Sequence, residues 1–224
     1  MSIASQLADV RARIERAARA VGRDPASVRL VAVSKTKPAA AIREAYAAGQ
    51  RDFGENYAQE LAEKAAELCE ELPDVRWHFI GHLQSNKAKL VAPVAHLVHA
   101  VDSAALAHAL AKRVPPGAPP LRVLVEVNTG GEAEKHGVAP ADAGALLDAI
   151  AAEPSLVLGG LMTMPPHDLD AARRAFEALV ALRDRHGGAA RLPELSMGMS
   201  DDLEVAIACG ATIVRVGTAI FGAR

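Results

Sequence analysis

Short apolar, β-branched runs alternate with longer amphipathic stretches along almost the whole chain, a pattern that predicts repeated strand–helix units. Ahead of them, Ser2 to Val21 carries Ile3, Leu7, Val10, Ile14, Ala17, Ala18 and Val21 at helical spacing, with Arg11, Arg13, Arg16 and Arg19 between them. This predicts an amphipathic helix laid on the outside of something larger, ended by Gly22 and Pro25. The first strand is Leu30 to Val33, inside RLVAVSKTKP (Arg29 to Pro38), and a helix over Ala39 to Ala48 follows with Gly49 as its cap. Next come a strand at Arg51 to Gly54 with a helix through Leu72, and a strand at Arg76 to Ile80 with a helix from Ser85 to Val91. His96 to Val101 precedes Asp102-Ser103, an N-cap for Ala104 to Arg113. Leu121 to Val127 precedes a helix from about Ala141 to Ala152, and Leu156 to Met162 one from Leu169 to His186. Glu194 to Ser196 precedes a helix from Asp201 to Cys209, and Thr212 to Val216 is the last strand.

Eight such units in one chain predict an α/β fold: a single (β/α)8 TIM barrel over residues 1–224 with an extra N-terminal helix. An open doubly wound sheet is the alternative, disfavoured because no GxGxxG fingerprint follows the first strand. The proline-rich Pro115 to Pro120 reads as a surface loop, since strands continue unchanged on both sides. Half of the 224 residues are hydrophobic but only 3% aromatic, so Ala, Val and Leu must fill the interior. A net charge of −2 gives no steering towards nucleic acid or an anionic membrane. Cys69 and Cys209 form no CxxC pattern and fit a reducing, cytoplasmic setting. With no apolar leader and no apolar run of ~20 residues, a soluble protein is expected.

In a barrel of this kind the active site lies at the C-terminal ends of the strands. The chain leaves Lys35, Asn56, His82, Asn128, Thr163, Ser200 and Gly217-Thr218 there. Period-2 alternation puts Lys35 on the face of Val31 and Val33, where partial desolvation favours the neutral, nucleophilic amine that Schiff-base chemistry requires. A solvated loop lysine is the plain alternative. SMGMSDD brings Gly198 and Ser200 to a helix entrance, and RVGTAIFG puts Gly217 and Thr218 directly after the eighth strand, an arrangement suited to a phosphate. The plain alternative makes Ser200 an N-cap and Gly217 a tight turn. Arg215, inside an apolar strand, points at a ligand in the mouth or pairs with Glu126, itself a lone charge in VLVEVN. His78 and His82 straddle a strand end and His96, His99 and His108 have no metal spacing, so no metal site is expected. Lys135 and His136 in GEAEKHG read as a solvated loop. There is no Walker A motif and no GxSxG elbow.

Taken in order, Lys35, FGENY (Phe53 to Tyr57), WHFIGHLQSNK (Trp77 to Lys87), EVNTG with EKHG, GGLMTM (Gly159 to Met164), LSMGMSDD and RVGTAIFG resemble the pyridoxal phosphate homeostasis (YggS-type) family, from about Val28 to Arg224. The resemblance implies a single barrel similar to the N-terminal domain of alanine racemase that binds pyridoxal 5′-phosphate (PLP). It implies an internal aldimine on Lys35, phosphate contacts from Ser200, Gly217 and Thr218, and Arg215 facing the pyridine nitrogen. Asn56 and His82 match positions lining the pocket, Met199 packs near the ring, and Lys135 matches a second lysine. Arg215 stays protonated and cannot give the ring nitrogen a proton, which makes the cofactor a weaker electron sink. Two-base racemisation also lacks an evident second base, the only tyrosines being Tyr46 and Tyr57. Glu126 departs from the family pattern, which has a neutral polar residue there. The expected function is therefore a monomeric carrier that buffers or delivers PLP, with PLP-dependent apo-enzymes as recipients and no firm catalytic residue. A racemase-like PLP enzyme is the second reading, and a class I aldolase using Lys35 is what the residues suggest without the resemblance.

Overall fold

The computed structural model describes residues 2–131 and 136–222. Ser2 caps α1 (Ile3–Ala20) by accepting a hydrogen bond from the Ser5 amide, and Leu7, Val10, Ile14 and Ala18 form its buried stripe. Val21, expected on that stripe, lies beyond the helix and is exposed. The barrel then runs β1 (Arg29–Val33), α2 (Ala39–Ala47), β2 (Asp52–Glu55), α3 (Ala58–Leu68) and β3 (Arg76–Phe79). A 3₁₀ turn at Ser85–Lys87 leads into the short α4 (Ala88–Val91), where one continuous helix was expected. β4 (Leu97–Val101), α5 (Ala104–Ala111), β5 (Leu121–Glu126), α6 (Ala143–Ala151), β6 (Leu156–Met162) and α7 (Leu169–Arg185) follow. The chain closes with α8 (Gly188–Arg191), β7 (Glu194–Ser196), α9 (Leu203–Ala208), β8 (Ile213–Val216) and α10 (Thr218–Phe221). α8 and α10 are single turns, too short to register as periodicity.

All pairings are parallel and the sheet closes, with β8 returning to β1 through Arg29 opposite Ile213 and Ala32 opposite Val216. This excludes the open sheet. Alternation along the strands divides the interior in two. Outward-facing residues such as Leu30, Ala32, Phe53 and Val214 join the helices in one large apolar layer. Val31, Leu97, Ala100, Leu124, Met162 and Ile213 form a smaller cluster inside the barrel. Each of these side chains larger than Ala100 contributes roughly 1.5–3 kcal/mol on burial. α1 packs against α2, α9 and α10, so it covers the seam where the last units meet the first. Among the described residues no helix is long and apolar enough to cross a membrane.

Register shifts occur between β4 and β5 at Val98–Val101 and between β5 and β6, and the second shows its cause. Val123 pairs with Leu158 and Leu124 with Gly160, leaving Gly159 as the extra residue in β6. Gly160 takes φ +151°, and a Cβ there would stand 1.9 Å from the Glu194 carbonyl oxygen of β7. Backbone cannot yield as a flexible side chain does. Gly160→Ala is therefore expected to destabilise the fold by about 3 kcal/mol or more, read as a lowered urea midpoint; an unchanged midpoint would mean that β6 and β7 can separate without penalty.

Candidate functional site

At the C-terminal ends of the strands the barrel mouth holds a cavity of about 240 Å³. Its walls are Val33 and Lys35 after β1, Asn56 after β2, Ile80 after β3, and Met164 and His167 after β6. Met199, Ser200 and Asp201 follow β7, and Arg215, Gly217 and Thr218 belong to β8 and its turn. An adjoining recess shares Lys35, Gly217 and Thr218 and adds Lys37. The alternation expected for β1 holds: Val31 faces the barrel interior, and Val33 and Lys35 line the cavity above it. A larger cavity of about 410 Å³ opens at the opposite end, but its arginines are engaged: Arg11 with the Ala48 carbonyl, Arg51 with Asp74 and Arg76 with Asp52.

The residues on either side of Lys35 are tied to one ammonium. Lys64, on α3, donates to the Ser34 carbonyl at 2.8 Å, to Glu55 at 2.8 Å and to Glu60 at 2.7 Å. Ser34 Oγ donates to the same Glu55 oxygen at 2.7 Å, and Glu60 accepts from the Thr36 amide at 2.6 Å. Thr36 is held at φ +62°, a left-handed conformation that is costly for a β-branched residue and persists only where the surroundings impose it. Burial pushes the Glu55 carboxyl up despite Lys64 and Ser34. Lys64 escaped the sequence reading, although it occupies a stripe with Leu61, Ala65 and Leu68 where an apolar residue is the norm.

Arg215 is wholly buried and lies inside the barrel, not in a salt bridge with Glu126 among the described residues. It donates to Ser196 Oγ at 2.6 Å, to the Thr163 carbonyl at 3.0 Å and to Met164 Sδ at 3.1 Å. From Ser196 a chain of hydrogen bonds crosses the barrel: Ser196 Oγ to His99 Nδ1 (2.8 Å), His99 Nε2 to His78 Nδ1 (2.9 Å) and His78 Nε2 to Asp52 Oδ1 (2.9 Å). Burial, the largest single influence on Asp52, would raise its carboxyl, but the hydrogen bonds and charges of His78 and Arg76 together hold it at about 2. Burial drives His78 down and His99 well down. An ionised Asp52 only accepts and each neutral imidazole donates once, so the donors must run Arg215, Ser196, His99, His78, Asp52. Burial also lowers Arg215 to about 10, which leaves it charged at neutral pH.

The third wall is built after β7. Gly198 takes φ +95°, and a Cβ there would come within 2.5 Å of the Ala206 side chain. Asp202 caps α9 and accepts from the Met199 amide at 2.5 Å, so Ser200 is not the N-cap and remains on the cavity wall. Arg13 of α1 donates to the Ser200 carbonyl at 2.9 Å while paired with Glu204. The N-terminal helix thus fixes the wall, a role that its amphipathic pattern does not disclose.

Among the described residues Asn56 Oδ1 is buried without a hydrogen-bond partner at the edge of the cavity, a place where a ligand can supply the donor. Glu126 is also buried; burial and then Asp102 push its carboxyl up to about 7. Thr163 lies beneath the floor, its hydroxyl bonded to the Val127 carbonyl. His82 is not a wall of the cavity: it is exposed, stacks on His136 and stands 3.5 Å from Asp102. Asn128 accepts from the Gly131 amide, also away from the cavity walls, and Lys135 lies outside the described residues.

Residues 5–224 match the family model "Alanine racemase, N-terminal domain". A pyridoxal phosphate homeostasis protein of Pseudomonas aeruginosa is 54% identical over 226 residues, covering 100% of this chain and 96% of the relative. Its namesake in Escherichia coli K12 is 45% identical, covering 99% and 97%. The solved structure of PipY from Synechococcus elongatus with PLP bound superposes with a TM-score of 0.82 at 40% identity, over 99% of this chain and 100% of that one.

Removing Lys64 would strand Glu55 in the interior. Lys64→Met is expected to destabilise the protein by about 3–5 kcal/mol at neutral pH. The burial-raised Glu55 carboxyl can take up a proton instead, so the loss should shrink as pH falls towards 5. Urea denaturation of both proteins at pH 7.5 and 5 measures this, and a pH-independent difference would remove Glu55 from the account.

Proposed function

This chain belongs to the pyridoxal phosphate homeostasis protein family, and we propose that it binds pyridoxal 5′-phosphate reversibly through Lys35 and buffers or delivers it. When bound, the cofactor supplies an aldehyde that an amine can take up and release. The observation that carries the reading is the convergence on one cavity of an amine, a buried guanidinium and two hydroxyls, from strands distant in sequence. The unpartnered Asn56 Oδ1 in the same wall supports a polar ligand there.

In this reading Lys35 offers its Nζ to the aldehyde carbon, and the Lys64 anchor limits the amine's travel. Ser200 and Thr218 offer hydroxyls to the phosphate, beside the backbone of Gly217. Arg215 faces the ring nitrogen as a fixed cation, its own fork held by Ser196 and Thr163. Met199 packs against the ring. At about 240 Å³ the cavity has room for little beyond the cofactor and one small amine, which suits exchange of the aldehyde between Lys35 and an incoming amino group. Two further facts favour a carrier over a racemase. Tyr46 donates to Asp74 and lies under Arg51 on the outside, and Tyr57 is 52% exposed; neither lines the cavity. The handed-over cofactor would go to PLP-dependent apo-enzymes.

The visible spectrum of the purified protein incubated with pyridoxal phosphate tests the assignment, followed by borohydride reduction and peptide mapping. A label on Lys35 that Lys35→Ala abolishes is expected, and a full label in that variant overturns the role of Lys35. Thr218→Ala should weaken cofactor retention by about 1.5–3 kcal/mol, one hydrogen bond to a charged group. Equilibrium dialysis checks this, and unchanged retention would place the phosphate elsewhere. Incubation of the loaded protein with L-alanine and chiral chromatography separates carrier from racemase.

A further inference from the structure

Three loops that follow adjacent strands bring His82, Asp102 and His136 together at the rim of the barrel mouth, beside the cavity but not in its walls. His82 Nδ1 is 3.5 Å from Asp102 Oδ2. The imidazoles of His82 and His136 lie face to face, 3.8 Å between centroids and 8° from parallel. One nitrogen or oxygen from each residue falls within 4.8 Å of the other two. We propose that these three residues bind a divalent first-row transition cation, with zinc as the reference ion.

Ligands at ~2.0–2.2 Å from a tetrahedral ion stand roughly 3.4 Å apart. The His82–Asp102 edge already has that length, and a side-chain rotation of His136 closes the other two. The residue types suit such an ion: two imidazoles and one carboxylate select zinc, cobalt, nickel or copper, not magnesium or calcium. Three protein ligands leave a position for water or an incoming donor.

A second observation points the same way. Glu126, at the end of β5, is buried with its Oε2 unpartnered among the described residues, and the Asp102 carboxylate repels it against the pull of Arg215. A cation held by Asp102 would offset that repulsion at the edge of the mouth. Neither His82 nor His136 is needed for packing, since both are exposed.

The test uses the full chain after chelator treatment, titrated calorimetrically with zinc chloride and, in parallel, with cobalt(II) followed by visible absorption. One equivalent of zinc should bind, with affinity at least tenfold lower in His136→Ala and in Asp102→Asn, and circular dichroism should stay unchanged in both. His82→Ala provides a further exposed position should either variant misfold. Cobalt should show the intense ligand-field bands of a tetrahedral site. Absence of binding, binding equally tight in all variants, or only the spectrum of the hydrated cobalt ion overturns the proposal. The titration is made without added pyridoxal phosphate, so its failure leaves the cofactor reading untouched.

Discussion

An arginine enclosed in a barrel must replace inside the protein much of the hydrogen bonding it gave up to water. Arg215 is that arginine. Its guanidinium reaches Ser196 on β7 and the Thr163 carbonyl after β6, and Ser196 hands the polarity on through His99 and His78 to Asp52. The line touches β2, β3, β4, β7 and β8 and ends at Arg76 near the opposite rim. It runs beside the apolar cluster of Val31, Leu97 and Leu124, so the barrel interior is half ordinary core and half directed polar chain. The burial that keeps both histidines neutral is what fixes the direction of every donor along it.

The cavity inherits its rigidity from such buried polar devices more than from its own walls. Lys35 sits between Ser34 and Thr36, and both neighbours are bonded into the group around Lys64. The left-handed Thr36 marks where that group overrides backbone preference. On the far side, Arg13 reaches from the first helix to the Ser200 carbonyl, so an element outside the barrel steadies the wall that carries a hydroxyl. The backbone that carries Lys35 is thus held from both sides before any ligand arrives.

At the rim the charges are less settled. Glu126 and Asp102 repel each other, and two imidazoles stack beside them without a packing role. Charge of this kind at the entrance to a cavity bears on what approaches it, whichever ion or ligand offsets it.

The sequence by itself determined the barrel and most of the cavity. β-branched runs and amphipathic helices recur with parallel-strand spacing, and the loops after the strands carry Lys35, Asn56, Ser200 and Gly217 to one end of the barrel. It located Arg215 as an anomaly but left two partners open, because strand order does not say which side chains of the enclosed interior come within hydrogen-bond distance. Only the tertiary structure decided for the interior chain through Ser196. It also removed His82 from the cavity, since alternation says which way a strand points and nothing about the loop beyond Phe79. Ser200 lost its reading as a cap because Asp202 takes that place. Lys64, Arg13 and the cluster of His82, Asp102 and His136 were beyond reach for one reason. Their meaning lies in contacts between segments far apart along the chain, and local periodicity carries no record of which distant segments meet.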